Sequence, residues 1–253
     1  MVRFSVCVEM IFRNVPFPER AVKVKEVGMP AFEFWGWDNK GGVEVLKKAK
    51  QDSGLQIAAF SGGKGPLVDP AVRANYLTSL KASIQVAQEL GCPGVLQTTG
   101  NTLPNVPRMA QHQSIVDHLL AAKPILEAEN MMLYLEPLNT IVDHKGYYLE
   151  TSKEGFDIVR KVDSQKVKLL YDIYHMQIME GNVIQTIEQN IGLIGHFHVA
   201  DVPGRFEPGT GELNYANIFK RIEKAGYKGY VGLEFRPTGD PAEALRKVLQ
   251  IAS

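Results

Sequence analysis

The sequence has little of several things, and each shortage removes a class of function. It has no net charge: 28 Lys and Arg balance 28 Asp and Glu. A dedicated nucleic-acid binder usually carries a basic excess to neutralise phosphates, and a disordered acidic chain carries the opposite one. It has only two cysteines, Cys7 and Cys92, and neither sits in a CxxC pair. A reduced, cytoplasmic protein is the expectation. No apolar run approaches the roughly 18 residues of a membrane span, so no membrane partner is expected. The start, Met1-Val2-Arg3-Phe4-Ser5-Val6, does not read as a signal peptide, because Ser5 and Glu9 interrupt any apolar segment. A phosphate grip is missing too. Gly62-Gly63-Lys64-Gly65 lacks the phosphate-loop spacing and a following Ser or Thr, and reads as a mobile loop. Gly209-Thr210-Gly211 completes no dinucleotide fingerprint.

What is present is ordinary for a folded domain: 45% hydrophobic and 22% charged residues in a chain of 253. Short apolar runs alternate with longer amphipathic ones throughout. Strands are predicted at 4–8, 31–35, 55–60, 95–99, 131–136, 167–172, 195–199 and 229–235. Helices are predicted from 18, at 43–53, 70–90, 108–130, 152–162, 182–190, 215–225 and 241–252. Gly28, Gly54 and Gly91 mark helix ends. Eight strand-helix units of about 30 residues, with no linker between them, predict an α/β fold: a single (β/α)8 TIM barrel, one domain over residues 1–253. A doubly wound open sheet is the alternative, but it usually has fewer strands.

A barrel places its chemistry at the C-terminal ends of its strands. The last four predicted strands carry ligand-type residues there: Glu136, Asp172, His198 and Glu234. Their successive spacings of 36, 26 and 36 residues are each one strand-helix unit, so all four reach one mouth. Three carboxylates in one place repel one another by about 4 kcal/mol per pair at 4 Å and an effective dielectric of 20. A divalent cation removes the conflict. Oxygen donors with one imidazole suit Mn2+ or Mg2+ better than Zn2+.

These residues, with their neighbours, carry a resemblance. The segments are Leu135-Glu136-Pro137-Leu138-Asn139, Tyr171-Asp172-Ile173-Tyr174-His175-Met176-Gln177, and the stretch from His198 through Arg205 to Tyr215. Over essentially its full length the chain resembles the xylose isomerase-like barrels, a superfamily of sugar isomerases, ketose 3-epimerases and endonuclease IV. The last stretch is most similar to the hydroxypyruvate isomerase family. The resemblance implies one divalent metal held by Glu136, Asp172, His198 and Glu234. It also implies that Glu136 and Glu234 exchange protons with substrate, and that His175 and Arg205 contact substrate oxygens. The expected reaction converts hydroxypyruvate to tartronate semialdehyde through a cis-enediolate, whose charge a Lewis acid stabilises.

Two departures keep a second reading open. Hydroxypyruvate isomerases tend to carry Gln where this chain has His198, whereas ketose 3-epimerases carry His. Phe34-Trp35-Gly36-Trp37 also differs from the hydroxypyruvate isomerase pattern. An endonuclease IV relative would need extra histidines after the third and fourth strands. Those ends here read Phe60-Ser61-Gly62 and Gln97-Thr98-Thr99.

Lesser expectations complete the reading. Trp35 and Trp37 form an apolar wall at the mouth, and Gln97 contacts substrate or a ligand. Glu33 supports the mouth through hydrogen bonds, and His196 is a packed interior residue. His112, His118 and His144 lie on the surface. The partner is a small, unphosphorylated molecule. Oligomeric state, a homo-oligomer included, is not written in the sequence.

Overall fold

A computed structural model describes residues 2–253. Eight strands form a closed barrel in sequence order. They are β1 (Arg3–Cys7), β2 (Ala31–Phe34), β3 (Gln56–Ser61), β4 (Gly94–Gln97), β5 (Met132–Leu135), β6 (Val167–Asp172), β7 (Ile194–Val199) and β8 (Tyr230–Leu233). Each pairs in parallel with the next, and β8 closes on β1 with Ser5 opposite Gly232. Helices α1 (Phe17–Glu26), α2 (Val43–Ser53), α3 (Arg73–Leu90), α4 (Arg108–Ala128), α5 (Ser152–Val162), α6 (Ile173–Met179), α7 (Val183–Asn190), α8 (Tyr215–Lys224) and α9 (Pro241–Ala252) alternate with the strands. The expected single (β/α)8 barrel is therefore the fold.

Strand alternation explains why the barrel has two cores. Val6, Phe32, Val95, Leu133, Leu169, Phe197 and Val231 belong to the large apolar layer shared with the helices. Ala59, Leu96, Tyr134 and Leu170 form a small separate cluster, the floor beneath the mouth. Residues two positions further along these strands are polar or open to the mouth. One register thus fixes both a floor and the groups above it.

Local signals close the elements. Gly54 and Gly91 adopt left-handed caps after α2 and α3. The Thr151 hydroxyl accepts from the Glu154 N–H to start α5, and the Asp240 carboxylate accepts from the Glu243 N–H to start α9. Several expectations need correction. The run expected to be helical from residue 70 opens as a 3-10 turn, Pro70–Val72, where the Asp69 side chain accepts from the Ala71 N–H, and α3 begins only at Arg73. Strand β2 stops at Phe34, leaving Trp35 outside it. Helix α6 is additional: Asp172 caps it, its side chain accepting from the Tyr174 and His175 N–H groups. His118 is buried, not on the surface, packed against Tyr76 with its Nδ1 at 2.7 Å from the Ser114 carbonyl. His112 is partly buried between Glu154 and Asp157.

Candidate active site

The C-terminal mouth opens into a cavity of about 430 Å³. That volume is typical of small-molecule sites. Glu136, His198, Glu234, Arg205, Trp35, Leu138, Asp143, His144 and Arg236 are among its walls.

Glu136 and Glu234 are the first residues beyond β5 and β8. The Glu136 backbone is held on both sides: its N–H donates to the Gln97 carbonyl at 2.9 Å, and its carbonyl accepts from the Tyr147 hydroxyl at 2.9 Å. Asp172 ends β6, and its Oδ1 is committed to the α6 cap. His198, on β7, turns Nδ1 toward the glutamates, 3.5 Å from Glu136 Oε1 and 3.4 Å from Glu234 Oε2.

The ligand-type atoms of Glu136, Asp172, His198 and Glu234 lie within 4.8 Å of one another. His198 Nδ1 is buried and lacks a hydrogen-bond partner. Two donors about 2.1 Å from one ion would lie about 3.0 Å apart in an octahedral arrangement and about 3.4 Å apart in a tetrahedral one. The His198 distances fall at this scale, and three carboxylates with one imidazole suit a divalent cation. The residues present fit such an ion.

The electrostatics are those of crowded acids. Burial pushes the Glu136 and Asp172 carboxyls up. At Glu234 burial acts the same way, but the charges of His198 and Arg205 overcome it and hold the group well below the usual range. Burial would lower His198, yet Glu234 and Glu33 hold it high. Glu234 is also held by two side chains. It accepts from Arg205 Nη2 at 2.5 Å and from the Trp35 indole N–H at 3.0 Å. Trp35 is 45% exposed, so its free face remains a wall of the mouth.

Arg205 has a left-handed backbone, φ 59°. The loop carrying it is wound about Asp201, whose carboxylate accepts from the N–H groups of Val202, Gly209, Thr210 and Leu213 at 2.8–3.1 Å. Sequence reasoning assigned Asp201 no role. The signal was an acid at the head of a glycine-containing loop, whose backbone N–H groups need an acceptor.

Three expected contacts fall elsewhere. Gln97 is buried and is not among the cavity walls; its Nε2 donates to the Thr98 carbonyl, and Leu96 and Thr98 on either side face the cavity. His175 stands behind Asp172, with Nε2 at 3.4 Å from Asp172 Oδ2, and its Nδ1 accepts from the Asn139 N–H. Trp37 turns away to donate to Ser83 Oγ. His144, expected on the surface, lines the mouth because the loop after β5 folds back over it. Arg236 was not singled out. Its N–H donates to the Arg205 carbonyl at 2.8 Å, and among the described residues no carboxylate pairs with its guanidinium.

Among the described residues no helix is long and apolar enough to cross a membrane. The comparisons agree with the geometry. The chain is 33% identical over 257 residues to a putative hydroxypyruvate isomerase of Mus musculus, covering 96% of this chain and 92% of that one. It is 32% identical over 253 residues to the hydroxypyruvate isomerase of Escherichia coli strain K12, covering 97% and 98%. A crystal structure of an AP endonuclease, family 2, from Brucella melitensis matches with a TM-score of 0.93 at 27% identity, covering 99% of each chain. Residues 21–252 match the family described as xylose isomerase-like TIM barrel. The chain belongs to the xylose isomerase-like TIM barrel family.

Proposed function

We propose that this chain is a metal-dependent isomerase of short hydroxy-oxo acids, with hydroxypyruvate and tartronate semialdehyde as the reacting pair. The observation that carries this reading is the convergence of Glu136, Asp172, His198 and Glu234 at one mouth. These four residues would hold one Mn2+ or Mg2+. Bound there, the ion supplies Lewis-acid stabilisation of negative charge on adjacent oxygens.

The chain's own residues do the rest. One of Glu136 and Glu234 takes the proton from the carbon beside the carbonyl, giving a cis-enediolate. The other returns a proton to the neighbouring carbon, while the hydroxyl proton passes to the former carbonyl oxygen. Arg205 keeps Glu234 in place. Trp35 restricts water on the open side. The His175 backbone N–H helps hold Asp172 through Oδ1. The eight units work as one domain over residues 1–253. Two buried free thiols suit a reduced, cytoplasmic setting.

Arg236 favours an acid over a neutral sugar. Arg205 is committed to Glu234, so Arg236 is the cation at the mouth left to meet a substrate carboxylate. A hydrogen bond to a charged group is worth about 1.5–3 kcal/mol. Arg236→Met is therefore expected to raise KM for hydroxypyruvate roughly ten- to hundredfold with kcat little changed. An unchanged KM would remove Arg236 from recognition.

His198 favours a second reading, a ketose 3-epimerase using the same glutamates on a longer neutral sugar. Assays of hydroxypyruvate, tartronate semialdehyde and several free ketoses, run side by side with added Mn2+, separate the two. The acid pair is expected to be interconverted fastest. Faster epimerisation of a ketose would favour the second reading.

A further inference from the structure

One buried acid of the barrel plays no part in the chemistry above. Glu33, on β2, is 1% exposed. A carboxylate so placed is costly unless every lone pair is used. Its Oε2 accepts from the Ser5 hydroxyl at 2.7 Å and lies 3.0 Å from His196 Nε2. Its Oε1 lies 2.7 Å from His198 Nε2, an ion-pair contact rather than a well-aligned hydrogen bond, and neither atom is hydrogen-bonded to any other group among the described residues. His196 is held in turn by stacking on Tyr134, with ring centroids 5.5 Å apart.

The strand opposite is shaped for this contact. A Cβ at Gly232 would lie 2.5 Å from Glu33 Oε1 and 2.6 Å from His198 Cδ2. Only glycine lets β8 pass this close. Four strands, β1, β2, β7 and β8, thus converge on one buried ion pair.

We propose that Glu33 is a positioning residue: by holding His198 at Nε2 it aims Nδ1 at Glu136 and Glu234, and so sets the affinity of the mouth for a divalent cation. This rests on the metal reading above. Partners that orient a ligating histidine typically contribute 10- to 100-fold in metal affinity.

Glu33, His196 and His198 are also close enough together to suggest an ion of their own. Their geometry speaks against it. The 2.7 Å contact is closer than the roughly 3.0 or 3.4 Å expected between two donors of one ion, and Glu33 Oε2 already accepts from the Ser5 hydroxyl. One ion per chain follows, not two.

The test is calorimetric titration of the chelator-stripped full chain with MnCl2, with melting temperature measured in parallel. The wild type is expected to bind one ion. Glu33→Gln is expected to bind it about 10- to 100-fold more weakly. Ser5→Ala loosens Glu33 without touching His198, and about a three- to tenfold loss is expected. It carries the test if Glu33→Gln does not fold. An unchanged Kd in a folded Glu33→Gln, or in Ser5→Ala when Glu33→Gln does not fold, overturns the proposal. So do two ions per wild-type chain with one lost in Glu33→Gln. A wild type that binds no Mn2+ overturns the metal reading itself, a distinguishable failure.

Discussion

Glu136→Gln and Glu234→Gln are each expected to lower turnover of hydroxypyruvate at least a hundredfold while leaving the barrel folded. Glutamine keeps the size of the side chain and removes its ability to carry a proton. A positioned general acid or base contributes about 10²–10⁴-fold, and an isomerisation needs both a donor and an acceptor. The fold should survive, because both residues lie just beyond their strands and the carbonyl of Glu136 stays bonded to Tyr147. The two variants should differ in detail. Glu234→Gln leaves Arg205 without its charged partner at 2.5 Å, so KM should also rise. Glu136→Gln removes an acid that burial disfavours as an anion, so crowding at the mouth eases. Measured at saturating Mn2+, kcat separates lost chemistry from lost ion. Full activity in either variant contradicts the proposed roles.

Asp201→Ala is expected to be the most damaging substitution outside the ligand-type residues. Four backbone N–H groups converge on this one buried carboxylate, and all four lose their acceptor together. The four bonds are only part-buried, so water takes over some of what the donors lose; a hydrogen bond to a charged group is worth about 1.5–3 kcal/mol, and the losses are not additive. A net loss of about 2–3 kcal/mol follows. For a chain of this size that is a fall in melting temperature of roughly 4–12 °C. Turnover should fall with it, because the Arg205 N–H bonds the Asp201 carbonyl and the loop carries Arg205 to Glu234. Thermal melts and kinetics at 25 °C on the same preparation check both effects. A melt within about 2 °C of the wild type would mean that the loop is held by something else.

Much of this was legible because a parallel barrel is a strict geometric device. Once eight units are counted, the residue at the end of each strand is placed at the mouth, and spacing alone brings Glu136, Asp172, His198 and Glu234 together. Some misses were errors of parity. Leu96 lies opposite the inward-facing Tyr134, so Thr98 shares its face and Gln97 does not. His118 follows Ile115 by three residues on α4 and precedes Ala122 by four, a core face. Helix α6 was missed for a different reason. Its residues are apolar on nearly every side, which erases the helical period, and the Asp172 cap was the remaining signal.

The two arginines mark where sequence reasoning runs out. Arg205 and Arg236 both follow strands, and nothing local says which is spent on a carboxylate. That is decided by how a loop wound around Asp201, with a left-handed residue in it, delivers Arg205 to Glu234, 29 residues further on. Glu33 is similar. Its place on a strand was visible, but its three partners come from β1 and β7.

The most direct test of the account is hydroxypyruvate isomerisation by the chain before and after removal of its divalent metal, with metal content measured at each stage. Chelation is expected to abolish turnover, and one equivalent of Mn2+ is expected to restore it. Unchanged turnover in a chain verified to be metal-free would contradict the central claim.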